Sequence, residues 1–175
     1  MTDRFQSLEE FWPYYLSEHK NATSRRLHFV GTTGALVAAA TSTLMSPLAF
    51  PTALAGVAAI GHKAIKAEKK SRSLKHVLGI LALPTMAAPV MFPASVVFAY
   101  GCAWAGHFKF EGNRPATFDY PVMSLASDFR MWWHMAQGKL WTGDDPCGEL
   151  GLDDPSAAGA AEAAVSEATP IAAAG

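Results

Sequence analysis

Residues 27–62, LHFVGTTGALVAAATSTLMSPLAFPTALAGVAAIGH, contain no Lys, Arg, Asp or Glu, and neither do residues 76–108, HVLGILALPTMAAPVMFPASVVFAYGCAWAGHF. Each run exceeds the roughly 20 residues that cross a hydrocarbon core. A buried helix of a soluble protein rarely needs so long a charge-free stretch. Only 17% of the 175 residues are charged and 50% are hydrophobic, against roughly 25% charged in an ordinary soluble domain. The pattern predicts an all-α integral membrane protein built as one domain.

Each run is also too long for one passage and carries prolines near its middle: Pro47 and Pro51 in the first, Pro84, Pro89 and Pro93 in the second. Division at the prolines gives four apolar segments, about 28–46, 51–62, 77–91 and 94–108. At about 1.5 Å per residue the second and third are short for full crossings, which leaves tilted or re-entrant passages open. Between the runs, residues 63–75, KAIKAEKKSRSLK, hold six bases and one acid, and Arg25 and Arg26 precede the first run. Basic flanks belong on the cytoplasmic face. Two single crossings would separate these two basic groups, whereas two helical hairpins return both to one face. The expectation is a multi-pass protein whose termini and basic linker are cytoplasmic. The first 26 residues lack a leader pattern, so insertion falls to the internal apolar runs.

Interfacial helices are expected at both ends. Phe5, Leu8, Trp12, Tyr15 and Leu16 recur at near-helical spacing, with Pro13 expected to bend or split that helix. Asn21–Ser24 reads as a stop followed by a start, with Thr23 or Ser24 capping a second helix from near Arg25. Residues 130–141, RMWWHMAQGKLW, fit an interfacial helix. The membrane domain is assigned to 1–143, and 144–175, with seven acids and no base, to an acidic Ala/Gly-rich disordered tail. The eight remaining acids face all fourteen bases, and those bases lie beside apolar runs. Anionic membrane lipid, rather than nucleic acid, is the matching counter-charge. No disulfide is expected between Cys102 and Cys147.

All six histidines fall at the cytoplasmic ends of the segments or just outside them. His19 and His28, nine residues apart, would point to opposite sides of one straight helix, but the break at 21–24 lets both turn to a common centre. His107 and Glu111, four apart, share a helix face, which suits two ligands of one metal ion. Imidazole with carboxylate serves non-haem Fe(II), and zinc also accepts it. Against this stands an interfacial reading, in which His19 complements a helix dipole and His28 and His107 keep one nitrogen in water. Spacing alone leaves both open. His62 and His76 read as headgroup neighbours, His134 as part of the Trp cluster, and Glu18, Arg114 and Arg130 as solvated surface.

Residues 11–32, FWPYYLSEHKNATSRRLHFVGT, and 99–132, AYGCAWAGHFKFEGNRPATFDYPVMSLASDFRMW, together resemble the two blocks of the Mpo-type 2-hydroxy fatty acid dioxygenase family. The resemblance covers roughly residues 5–140 and leaves the acidic tail outside. It implies an Fe(2+)-dependent enzyme of fatty acid α-oxidation, in which molecular oxygen shortens a long-chain 2-hydroxy fatty acid by one carbon. It also implies His19, His28 and His107 as metal ligands, with Glu111 a fourth ligand or a partner orienting an imidazole. Arg114, Arg25 or Arg26 would then pair with the substrate carboxylate. The acyl chain would lie among the spans or in lipid. Ala22 departs from the proline common among relatives. The alternative class is a non-enzymatic membrane protein that binds lipid or a protein partner through its basic linker and Trp cluster, its histidines dispensable for any metal. A transporter ranks last, because neither apolar run holds a charged group.

Overall fold

The computed structural model describes residues 4–68 and 74–155, and every regular element among them is helical. They are α1 (Leu8–Ser17), α2 (Ala22–Met45), α3 (Ala49–Glu68), α4 (Leu74–Ala87) and α5 (Met91–Ala105), which continues into a π-helical turn, Gly106–Glu111. A 3₁₀ turn (Ala116–Phe118), α6 (Pro121–Ala136) and the short α7 (Pro146–Glu149) follow.

Helices α2 to α5 occupy the four apolar segments, with shifted bounds. The chain turns at 46–48 and 88–90, where Pro47 and Pro89 sit. Pro51 and Pro93 fall in the first turns of α3 and α5, where a missing N–H leaves no intrahelical bond unmade. Pro84 lies inside α4 and does not end it. Helix α3 runs past residue 62 through Lys63 and Lys66 to Glu68. Ala64 is buried with Ile80 and Val122, which holds that extension down. The Glu68 carboxylate accepts the amides of Val122 at 2.7 Å and Met123 at 2.8 Å, satisfying first-turn donors of α6.

Pairing does not follow the two short turns. Helix α2 lies along α5 and α3 along α4, while the pairs joined by the short turns touch far less. Gly31 makes the α2–α5 approach possible, since a Cβ there would stand 2.9 Å from the Ala99 carbonyl oxygen. By length and composition α2 is the helix, among the described residues, fit to cross a membrane by itself.

Of the bend or split expected at Pro13, the split does not occur: α1 is one helix through that residue. An interior proline costs about 3 kcal/mol. Phe11, Trp12, Tyr15 and Leu16 are all at most 3% exposed, and burying side chains of this size gains about 1.5–3 kcal/mol each. Burial wins. Helix α2 starts at Ala22, earlier than expected, because Asn21 itself caps it by accepting the Thr23 amide at 2.8 Å.

The main core lies where α1 and α6 stack with Leu140 and Cys147, through Met123, Met131 and Met135. Residues 144–155 therefore begin the acidic tail as a packed segment: Cys147 is buried, Leu150 and Leu152 lean on the core, and Asp154 pairs with Lys20 at 2.8 Å. The disordered reading of 156–175 lies outside the described residues. Both cysteines are free, as expected.

Candidate metal centre

Three elements bring one histidine each to a single buried point. His19 stands in the bend after α1, His28 in the second turn of α2, and His107 at the start of the π-helical turn. Their exposures are 0%, 6% and 3%. Ring centroids are 4.6 Å apart for His19–His28 and His19–His107, and 5.2 Å for His28–His107. One ring nitrogen from each lies within 4.8 Å of the other two.

The outer partners decide which nitrogen faces inward. His19 Nδ1 donates to the Tyr15 carbonyl at 2.6 Å, and His28 Nδ1 donates to Asp128 Oδ1 at 2.6 Å. His107 Nδ1 donates to Asn113 Oδ1 at 2.7 Å. The Asn113 amide is itself fixed, since its Nδ2 donates to the Glu18 carbonyl at 2.8 Å and carboxylate at 2.9 Å. Every acceptor here is an oxygen without a proton, so each Nδ1 carries the hydrogen and each Nε2 keeps its lone pair. Nε2 of His19 and of His28 is buried without a hydrogen-bond partner. A buried acceptor left in this way is costly, and a metal ion is the group that satisfies several imidazole lone pairs at once. Burial, then the neighbouring His28 and His107 rings, push the His19 pKa well below the usual imidazole value, so the ring is neutral and ready to ligate.

The centre is shaped from behind. Asp128, on α6, also accepts Tyr15 Oη at 3.2 Å and the Thr32 hydroxyl, so one carboxylate ties α1, α2 and α6 together around His28. The π-helical turn ends at Gly112, whose φ of 68° is a left-handed value suited to glycine, and this turns Asn113 back toward His107. A Cβ at Gly106 would stand 2.7 Å from Ser24 Oγ and 3.3 Å from Ser24 Cα, so Ser24 would have to shift to admit it.

Of the other expected site residues, Glu111 lies beside the centre without joining the histidine group. Its carboxylate accepts the Asn21 amide at 3.0 and 3.2 Å, bracing the bend between His19 and α2. Burial raises its pKa, which that hydrogen bond opposes. Arg114 is 60% exposed and pairs with Asp119 at 3.0 Å, its guanidinium over Phe118. Arg25 is fully buried and directs its five N–H groups to carbonyls: His19, Lys20, Leu140, Thr142 and Gly143, at 2.6–2.9 Å. Arg26 donates to the Trp141 carbonyl. None of the three arginines lines the pocket in front of the histidines, a cavity of about 90 Å³ walled by Tyr15, His28, Thr32, Tyr100, His107, Asp128 and others. His62 is exposed, His76 is half-buried on α4, and His134 stacks on Trp12.

Sequence reasoning missed Asp128, Asn113 and the structural role of Arg25. Asp128 carried one signal, an acid set alone between the apolar and aromatic stretches of α6.

This is a helical protein with a buried three-histidine centre of metal-ligating geometry. A family model described as 2-hydroxy-palmitic acid dioxygenase Mpo1-like matches residues 5–140, and the chain belongs to that Mpo1-like family. No curated protein and no solved structure matches it.

Proposed function

We propose that this chain is an iron-dependent dioxygenase that shortens long-chain 2-hydroxy fatty acids by one carbon, working within a membrane. The observation that carries the reading is the set of three imidazoles whose outer Nδ1–H groups are all engaged and whose inner Nε2 lone pairs converge. The family description names a dioxygenase and a 2-hydroxy acid. The membrane part is supported by apolar side chains left exposed along α2 to α5, among them Val37 at 61%, Leu44 at 83% and Val97 at 73%. Exposed Trp104, Phe108 and Trp133 near the histidine end suit the headgroup level.

In the balanced reaction, R–CH(OH)–COOH and O₂ become R–COOH, CO₂ and water, with O₂ accepting the four electrons. Fe(II), when bound, would supply the oxygen chemistry and a Lewis-acid site. His19, His28 and His107 would hold it. Asp128, Asn113 and the Tyr15 carbonyl keep the three rings in the ligating tautomer and orientation. Glu111 braces the bend that carries His19. No arginine lines the pocket to pair with the substrate carboxylate, and Tyr100, Trp104 and Phe129 give it an apolar wall.

The test is iron content of protein purified without oxygen, followed by oxygen-dependent loss of 2-hydroxypalmitic acid. Replacing any one of the three histidines with Ala should remove most iron and abolish consumption. His76→Ala and His134→Ala should retain both. Full iron and turnover in the three single variants would sink the proposal.

A further inference from the structure

Beside the histidine pocket lies a larger, partly open cavity of about 350 Å³, lined by α2 to α6. Ala35, Ala99, Tyr100, Leu125 and Phe129 line both spaces, so the two adjoin across these side chains. The volume falls within the roughly 300–1,000 Å³ of small-molecule sites. Its lining is almost wholly aliphatic and aromatic, and the Ser95 hydroxyl there is already satisfied by the Phe92 carbonyl at 2.7 Å. The space is thus suited to hydrocarbon and to no polar group. At the far end Phe50, fully buried, and Phe92 pack with centroids 6.4 Å apart.

Length fits as well as chemistry. Phe92 precedes His107 by fifteen residues along one continuous helix, about 22 Å at about 1.5 Å per residue. An extended polypeptide covers about 1.1–1.2 Å per backbone bond. On that scale about 22 Å accommodates a fully extended chain of about twenty carbons.

We propose that this cavity holds the hydrocarbon tail of the substrate, and that Phe50 and Phe92 are the stop that sets the longest tail accepted. The assignment rests on the dioxygenase reading of the histidine centre, which fixes the polar head at the other end. Ala39, a small side chain on the cavity wall, marks where the tail is most easily shortened.

The test uses 2-hydroxypalmitic acid carrying a diazirine on its terminal carbon, photolysed without oxygen with the full-length protein in phosphatidylcholine nanodiscs. Adducts that unlabelled 2-hydroxypalmitic acid competes away should map to residues 49–57 or 91–96. Each methylene removed from the competitor should weaken competition about three- to fourfold. Phe92→Ala should extend the longest competing acid by two carbons or more, and Ala39→Trp should shorten it. Adducts confined to outward-facing residues such as Val37, Leu44 or Val97, or adducts that do not compete, overturn the assignment even if a variant fails to fold. Because labelling needs no turnover, the two readings fail separately. Internal adducts without consumption of the acid under oxygen would remove the dioxygenase and leave the cavity assignment standing. Consumption with only external adducts would remove the cavity assignment alone.

Discussion

His28 and Asp128 lie 100 positions apart and share a 2.6 Å hydrogen bond, the imidazole Nδ1 donating to the carboxylate. Three hydrogen-bond donors from two helices meet on Asp128, so this carboxylate fixes the aim of the His28 ring. Asp128→Asn keeps the size and loses the charge. Iron affinity should drop by about 10–100-fold, read by metal titration of the purified protein, while Asp153→Asn, away from the centre, leaves it unchanged. Equal affinity in both variants would show that Asp128 does not support the metal.

Arg25 is the most extensively hydrogen-bonded buried side chain described in the fold. Arg25→Met leaves five carbonyls without their donor, each worth about 1–3 kcal/mol when stranded in the interior. A loss of at least about 3 kcal/mol is expected, seen as a fall of about 6–12 °C in thermal unfolding. Arg25→Lys should recover little, because an ammonium cannot serve five acceptors in one plane. Wild-type melting in the Met variant would contradict this.

Ending the chain after Pro155 should leave melting temperature and iron content unchanged. Ending it after Gly143 removes buried Cys147, the apolar contacts of Leu150 and Leu152, and the Glu149 acceptor of the Leu140 amide at 2.7 Å. That product should melt lower by several degrees, for a loss of about 2 kcal/mol. Indistinguishable melts would mean that 144–155 contributes nothing.

The pH response of the metal-free protein follows from His19. Its folded pKa is lowered, so as pH falls through about 6.5 the unfolded chain takes up a proton that the folded chain refuses. Stability is therefore lost as pH drops below about 6.5. The cleanest measure is the melting difference between wild type and His19→Gln at pH 7.5 and 5.5, in which contributions from carboxylates cancel. Wild type should lose more on acidification, and parallel curves would refute the assignment.

The proposed two-hairpin passage through a membrane is tested by single cysteines in a background where Cys102 and Cys147 are Ala. Leu48 and Val90, 83% and 80% exposed, sit at the two turns. Lys75 and Lys139 sit near the histidine end. An impermeant thiol reagent should label the first pair from one face and the second pair from the other. Labelling of all four from the same face would exclude the two-hairpin passage.

The long helices were legible because a charge-free run is a one-dimensional property, visible residue by residue. The three histidines were legible only through the resemblance, since a nine-residue gap and a distant partner do not by themselves imply convergence. Whether Pro13 would split α1 was not legible, because its local cost is visible in sequence while the burial of Phe11 and Trp12 that offsets it is a tertiary fact. The pairing of α2 with α5 was hidden for the same reason. It depends on Gly31 meeting Ala99, and a glycine in an apolar run serves a bend or a lipid-facing surface as readily as a helix contact. Arg25 looked like a topological charge or a substrate clamp, because nothing local announces that loop 140–143 will return to it. Leu140 adopts a left-handed φ of 63° there with its carbonyl on Arg25 Nε, a conformation no propensity assigns to leucine.

The Arg25 guanidinium binds both the bend that carries His19 and the carbonyls of residues 140, 142 and 143. During synthesis α2 emerges long before that loop, so for most of translation its buried cation lacks three of five acceptors. The bend beside His19 cannot settle until nearly the whole domain has left the ribosome. The three-histidine centre is thereby completed only at the end of biogenesis, and a chain arrested before residue 140 exposes a basic, unfinished helix end in place of a closed centre.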